Sequence, residues 1–95
     1  MSDLPLEEVR ACVSRAGLPD ARIVCFGSRV AGNARPGSDL DIAVDMGRPL
    51  TFAELARIRE AFDDSDLPMR VDASDFTRLE PAFRDRALRD AVAVR

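Results

Sequence analysis

Two acidic residues on an otherwise apolar stretch are the feature of this sequence best suited to chemistry. Asp39 and Asp41 alternate with Leu40, Ile42 and Val44. In an extended strand, alternate side chains share a face, so the two carboxylates project together, about 6.6 Å apart at their backbones. Like charges at this range raise one another's pKa, and a divalent cation removes that cost. The pair therefore predicts a Mg²⁺ site, since this ion takes few carboxylates and completes its shell with water and phosphate.

A Gly-Ser pair twelve residues before this strand could hold the phosphate. Gly27 and Ser28 follow an apolar run, residues 22–26, that predicts a buried strand. Gly27 lets the backbone turn sharply and approach a ligand closely. Ser28 is expected to cap a short helical turn over residues 29–31, whose unpaired N–H groups favour an anion. Turn-forming residues then return the chain to Ser38 and the acidic strand, so that phosphates and carboxylates face each other.

A third carboxylate is expected on a later strand, residues 69–73. Met69 and Val71 face one side of this strand, and Asp72 faces the other. If the strand lies beside the first acidic strand with its polar face on the same side, Asp72 completes a cluster of three. Asp75 is the competitor. The alternation leaves Asp75 in the following turn, which favours Asp72.

The stretch from residue 27 to residue 44, GSRVAGNARPGSDLDIAV, carries a family resemblance. It resembles the signature of the DNA polymerase β-type nucleotidyltransferase superfamily, Gly-Ser followed ten to a dozen residues on by Asp-x-Asp. In length and in its GSxxxG…SDxDxxV form, it is most similar to the minimal nucleotidyltransferases (MNT) that accompany HEPN-domain proteins in toxin–antitoxin pairs. Many members read Gly-Ser-x-Ala-x-Gly, where this chain has Val30 and Ala31 in the middle positions.

The resemblance implies both a fold and a site. The fold is α+β, of the polymerase β type, with a small mixed β-sheet flanked by helices. The metal and catalytic residues would be Asp39, Asp41 and Asp72, which hold two Mg²⁺ ions, and the third of them helps to activate the attacking hydroxyl. ATP is the expected substrate. Its binding residues would be Gly27, Ser28, Arg29 and Ser38.

A protein partner is implied by the same resemblance. The expected partner is a HEPN-type toxin, neutralised by transfer of AMP from ATP to one of its tyrosine hydroxyls, and the two proteins could form a hetero-oligomer. Two alternatives stay open. The chain could be a catalytically silent antitoxin that binds and occludes its toxin, or it could transfer a nucleotide to a small molecule. The short chain counts against the small molecule, because no second domain is available to enclose it.

Missing residue types narrow the chemistry further. The sequence has no His, which excludes Ser-His and Cys-His catalysis and most zinc sites. All 14 basic residues are Arg, which excludes a Schiff-base lysine and a Walker-type lysine. Cys12 and Cys25 lie among apolar neighbours without metal-ligand spacing, and we expect both to be reduced core residues. The net charge of −3 argues against direct binding of nucleic acid.

The 95 residues are expected to form one domain, residues 1–95, large enough for a core. Apolar spacing predicts a first helix over residues 6–16. Thr51 and Glu54 form a predicted capping box that begins a second helix, which runs to about Phe62. No apolar run reaches membrane-spanning length, and residues 1–10 lack the features of a signal peptide. A cytoplasmic location is expected.

The tail, residues 77–95, predicts a third helix that starts near Pro81. Its apolar stripe consists of Phe83, Ala87, Leu88 and Ala91. The stripe could seal the second side of the sheet. Alternatively, part of it could extend beyond the core with Val92 and Val94 to meet a partner.

Overall fold

The computed structural model describes residues 4–95. In this range the chain forms four α-helices, one 3₁₀ turn and four strands. In chain order these are α1 (Leu6–Arg15), β1 (Arg22–Phe26), α2 (Ser28–Ala31), β2 (Leu40–Asp45), α3 (Phe52–Asp63), β3 (Val71–Asp75), the 3₁₀ turn (Phe76–Arg78), α4 (Pro81–Leu88) and β4 (Val92–Ala93). The arrangement confirms the predicted α+β class. None of the helices in residues 4–95 has the length and apolar character needed to cross a membrane.

The four strands form one mixed sheet with the order β3-β2-β1-β4. Strand β1 is antiparallel to both of its neighbours, β2 and β4. Strands β2 and β3 are parallel. A parallel pair needs a long crossover connection, and α3 supplies it. The acidic strand β2 therefore lies in the middle of the sheet, between β1 and β3.

One face of the sheet is buried beneath α1 and α3. Alternate residues of β1 and β2 point into this core, and all of them are fully buried; they are Ile23, Cys25, Leu40, Ile42 and Val44. Val9 and Val13 of α1 and Ile58 of α3 pack against them. Cys12 and Cys25 are both buried and free, as predicted, and burial raises the pKa of Cys25 to about 11. The strand alternation leaves the opposite face for the acidic residues.

Helix α3 begins with the predicted capping box. The hydroxyl of Thr51 accepts a hydrogen bond from the Glu54 N–H at 3.0 Å, and the Glu54 carboxylate accepts one from the Thr51 N–H at 2.8 Å. The same carboxylate accepts two hydrogen bonds from the Arg48 guanidinium, at 2.9 and 2.8 Å. These hydrogen bonds lower the pKa of Glu54 to about 2, and those from the Arg48 guanidinium contribute most to the shift.

The third strand lies two residues later than predicted. It covers Val71–Asp75 rather than residues 69–73. Its start is fixed by pairing with β2, in which Leu40 lies opposite Val71. The sequence pattern around residue 70 contains no information about that partner, so the predicted bounds were wrong.

The predicted helix of the tail was wrong beyond Leu88. Helix α4 ends there, and Val92–Ala93 forms β4 on the edge of β1. This pairing uses backbone groups that an edge strand would otherwise leave unpaired. Val94 is only 6% exposed and belongs to the core, which contradicts the alternative that it extends beyond the core to meet a partner. No residue of α4 is buried, and Phe83 and Leu88 remain 41% and 39% exposed, so the stripe does not seal the sheet.

Candidate active site

Strands β2 and β3 bring two of the predicted carboxylates into register. Asp41 lies directly opposite Asp72 in the parallel ladder. Residues opposite each other on neighbouring strands share a face of the sheet, and the strands are about 4.8 Å apart. On the other side of Asp41 lies Phe26 of β1. The expectation that the third strand runs beside the acidic one with its polar face on the same side is therefore confirmed.

The electrostatics of Asp41 link it to both other acidic residues. Its pKa is raised, chiefly by burial, and then by the negative charges of Asp72 and Asp39. Asp39 lies one residue before β2 rather than within the strand. Burial and these two negative charges therefore disfavour the ionised form of Asp41 in the ligand-free protein.

Asp75 is excluded from this group, for a reason that the sequence did not give. It lies within β3, not in the turn after it, and it is opposite Val44, which faces the core. Its buried carboxylate accepts hydrogen bonds from the Leu50 N–H at 2.8 Å and from the Thr77 N–H at 3.0 Å. Asp75 therefore joins the start of α3 to the 3₁₀ turn, on the side of the sheet away from Asp41.

Gly27 connects the turn after β1 directly to the acidic strand. Its φ is +86°, a conformation that L-residues with side chains rarely adopt. A Cβ atom at this position would overlap Oδ2 of Asp41 and lie 3.1 Å from its Cγ. Both the backbone conformation and the space therefore require glycine. This contact places the Gly27–Ser28 elbow against the Asp41 carboxylate.

Ser28 does not cap α2 as predicted. It is the first residue of the helix, Gly27 occupies the N-cap position, and no side chain makes a capping hydrogen bond. The Gly27 carbonyl instead accepts hydrogen bonds from the N–H groups of Val30, at 3.1 Å, and Ala31, at 2.9 Å. The earlier N–H groups of such a turn have no partner within the helix. The Ser28 hydroxyl is thus not used as a cap.

Arg29 and Ser38 take part in two hydrogen bonds that hold the loop before the acidic strand. The Nε–H of Arg29 donates to the Ser38 carbonyl at 2.8 Å. The Ser38 hydroxyl accepts from the Arg35 N–H at 2.9 Å, which closes the turn before Asp39. These bonds tie α2 to the start of the acidic strand. No sequence pattern predicted them, since both partners are main-chain groups in a loop.

An open cleft of about 370 Å³ lies between the elbow and α4. The cleft is lined by Phe26, Gly27, Ser28, Ala31, Asn33, Asp41, Phe83, Arg86, Ala87 and Asp90. Helix α4 is held here by an edge-to-face contact between Phe26 and Phe83, with ring centroids 6.0 Å apart. The sequence placed Gly27, Ser28 and Asp41 in the site. It missed the α4 residues because their position depends on how the tail pairs with β1.

Comparison with known proteins identifies the family. Residues 6–94 match the model of the family described as "Nucleotidyltransferase domain". This chain belongs to that family. The match covers all of the strands and all of α1 to α4. The resemblance read from residues 27–44 therefore extends over nearly the whole chain.

Individual relatives agree with this assignment. The chain is 46% identical over 68 residues to the "Probable protein adenylyltransferase MntA" of Haemophilus influenzae, a match that covers 72% of this chain and 60% of MntA. A crystal structure of a toxin–antitoxin with AMP-PNP has the same fold, with a TM-score of 0.78 at 22% identity over 97% of this chain and 73% of that one. A structure provisionally named a minimal nucleotidyltransferase matches with a TM-score of 0.70 at 32% identity, over 97% and 98% of the two chains.

The acidic face of this nucleotidyltransferase domain suits Mg²⁺ in its chemistry. Carboxylate oxygens are the hard ligands that this ion prefers. The pKa of Asp41 is raised by burial first and by the charges of Asp72 and Asp39 second, and a bound cation would favour the ionised carboxylate against both effects. Within residues 4–95, however, no group of three or more Asp, Glu, His or Cys side chains is already arranged to hold a metal ion. The residues fit the ion by type and by shared face, and their side chains would have to turn toward it.

Proposed function

We propose that this protein is a Mg²⁺-dependent protein adenylyltransferase that transfers AMP from ATP to a tyrosine hydroxyl of a HEPN-type toxin. Its action as an antitoxin, and a cytoplasmic location where ATP is available, belong to the same proposal. The observation that carries it is the placement of Asp41 beside Asp72 on one face and against the Gly27 elbow. Support also comes from the naming of MntA as a probable protein adenylyltransferase and from the toxin–antitoxin fold neighbour.

The elbow is the proposed binding site for the triphosphate. Gly27 and Ser28 both line the cleft, and the Gly27 backbone and the Ser28 hydroxyl would bind the outer phosphates. Arg29 uses its Nε–H on the Ser38 carbonyl, which leaves the outer N–H groups of its guanidinium for the pyrophosphate end of the nucleotide. Ser38 would support this contact through its carbonyl and hydroxyl, both of which shape the loop.

The three carboxylates are the proposed catalytic residues. Asp39, Asp41 and Asp72 would hold two Mg²⁺ ions, which when bound neutralise phosphate charge and lower the pKa of the acceptor hydroxyl. The acceptor oxygen forms a bond to the α-phosphorus of ATP as the bond from that phosphorus to the β-phosphate bridging oxygen breaks. AMP is then attached to the acceptor, and pyrophosphate leaves. Asp72 receives the proton of the hydroxyl.

The proposal is tested with ATP labelled at the α-phosphate and a HEPN-type toxin from the same organism as the candidate acceptor. Wild-type protein should label the toxin, and mass spectrometry should locate AMP on a tyrosine. Asp41→Asn should reduce labelling by about 100-fold or more, since it removes a ligand at the reacting centre. Asp45→Asn is the matched control on the same strand. Its carboxylate accepts a hydrogen bond from the Gly47 N–H, and this variant should label normally.

Two other results would contradict parts of the proposal. Equal labelling by the wild type and Asp41→Asn would dismiss the assigned site. No labelling by any variant, with full neutralisation of the toxin by Asp41→Asn, would show instead an antitoxin that acts by binding alone.

A further inference from the structure

Helix α4 forms one wall of the cleft, and none of its residues belongs to the Gly-Ser and Asp-x-Asp pattern. Phe83, Arg86 and Ala87 line the cleft on this side, opposite Ser28. The start of the helix is fixed by Glu80, whose carboxylate accepts hydrogen bonds from the N–H groups of Ala82, at 3.1 Å, and Phe83, at 2.9 Å. The wall is therefore a capped helix with one arginine facing the cleft.

Arg86 has no close ionic partner in the described part of the chain, and its charge acts only at longer range on the Glu80 carboxylate, whose pKa it helps to lower after the two backbone hydrogen bonds. Among residues 4–95, the ion pairs within 4.0 Å join Arg48 to Glu54 and Arg78 to Asp75. Arg86 makes neither an ion pair nor a side-chain hydrogen bond in this range, although Asp90 lies one helical turn away. Its guanidinium therefore keeps its five N–H donors for a ligand.

The two neighbouring arginines, Arg84 and Arg89, do not line the cleft. The Arg84 guanidinium lies over the Phe76 ring, 5.9 Å from its centroid. Arg89 is exposed, caps the end of α4 through its backbone, and does not line the cleft. Of the described cationic side chains, Arg86 is the one that lines the cleft together with Asp41.

The composition of the cleft favours a ligand with an anionic end and an apolar end. Arg86 supplies a guanidinium, which suits phosphate oxygens. Phe83, Ala31 and Ala87 supply an apolar wall that suits a ribose or a base. A nucleoside triphosphate has both ends. Two carboxylates, Asp41 and Asp90, also line the cleft, so a phosphate bound there needs positive charge, and the Arg86 guanidinium provides part of it.

We propose that Arg86 is a nucleotide-binding residue, whose guanidinium binds the phosphate chain of a nucleoside triphosphate seated between the elbow and α4. This inference rests on the proposed function, because it assigns a further contact to the same substrate. It extends the site from the Gly-Ser and Asp-x-Asp pattern to the C-terminal helix. Phe83 forms the apolar wall on which the nucleoside packs.

The test is the affinity for MANT-ATP with Mg²⁺, measured by fluorescence for the wild type and three variants. Arg86→Ala should weaken binding by about tenfold or more, as expected for loss of a charge-assisted contact to phosphate. Arg89→Ala removes the same charge outside the cleft and should bind within about twofold of the wild type. Arg86→Lys keeps the charge without the planar fork, and its affinity should lie between the other two. MANT-AMP should be affected less than MANT-ATP.

The outcomes separate this inference from the proposed function. Wild-type binding that is abolished by Gly27→Ala and unchanged by Arg86→Ala would overturn the role of Arg86 and leave the elbow site standing. If Arg86→Ala and Arg89→Ala weaken binding equally, the loss comes from the change in net charge alone, and the proposed contact between Arg86 and phosphate is overturned. A wild-type protein that binds no MANT-ATP would overturn both proposals. Circular dichroism of each variant confirms that the comparison is made between folded proteins.

Discussion

At the scale of single residues, the ionised carboxylate of Asp41 destabilises the ligand-free protein. Burial and the charges of Asp72 and Asp39 raise the pKa of Asp41 above its ordinary value. A carboxyl whose folded pKa is raised stabilises the fold fully only below its ordinary pKa, and that contribution is lost as the pH rises through the folded pKa. At neutral pH, an ionised Asp41 therefore destabilises the protein unless a cation is bound.

This reasoning predicts that Asp41→Asn stabilises the metal-free protein while removing its proposed activity. In EDTA at pH 7, the midpoint of thermal unfolding should rise by no more than a few degrees, because solvent screens part of the electrostatic cost that the substitution removes. The gain should shrink toward pH 3, where the wild-type carboxyl is itself protonated. Mg²⁺ should raise the midpoint of the wild type and leave that of the variant nearly unchanged. Circular dichroism with and without Mg²⁺ provides the measurement.

Asp45→Asn serves as the control for this experiment. The residue shares the strand with Asp41, but its hydrogen bond to the Gly47 N–H can be kept by the asparagine oxygen. Its midpoint should change by less than that of Asp41→Asn. A lower midpoint for Asp41→Asn in EDTA, or an equal response of both proteins to Mg²⁺, would contradict the electrostatic account of the site.

At the scale of elements, the start of α3 is fixed by several side-chain hydrogen bonds. Glu54 closes the capping box with Thr51 and also holds the Arg48 guanidinium through two hydrogen bonds. Its pKa is lowered to about 2. A carboxyl with a lowered folded pKa stabilises the fold fully above its ordinary pKa of 4.5, and this stabilisation is lost as the pH falls toward 2.

Glu54→Gln should therefore reduce stability at pH 7 by more than it does at pH 3. Glutamine can still accept a hydrogen bond from the Thr51 N–H, but it has no charge to offer Arg48. Thr51→Ala is the matched control from the same capping box. It should cost about 1 kcal/mol at both pH values, because a hydroxyl cap does not titrate. Urea unfolding of the three proteins at pH 7 and pH 3 gives the comparison, and a pH-independent loss in Glu54→Gln would disprove it.

The elements also mark what the sequence can predict and what it cannot. The capping box and the alternation around Asp41 are local patterns, so the helix start and the acidic face were readable from neighbouring residues. The bounds of β3 and the end of α4 depend on pairing with β2 and β1, and no local pattern encodes a distant partner. Asp75 illustrates the limit. Its role at the start of α3 follows from a contact with Leu50, 25 residues away in sequence.

At the scale of the whole molecule, the two faces of the sheet have different tasks. Helices α1 and α3 bury one face, and the opposite face carries Asp41 and Asp72 with only partial cover from α4. A site that must admit a nucleotide and an acceptor needs this open face. Because no helix within residues 4–95 buries the acidic face, the stability of the core depends more on the elements that close the edges of the sheet. Strand β4 is one of these, since it closes the edge of β1 and brings Val94 into the core.

The tail is therefore predicted to stabilise the isolated domain. Val94→Ala should lower the free energy of unfolding by roughly 1–3 kcal/mol, because it removes two buried methyl groups and leaves a cavity beside β1. Ala93→Ser, at the exposed neighbouring position, is the control and should change the value by less than about 0.5 kcal/mol. Urea unfolding of the protein without any partner is the decisive measurement. If Val94 instead served to reach a partner, the isolated Val94→Ala protein would be as stable as the wild type, and the loss would appear only in the complex.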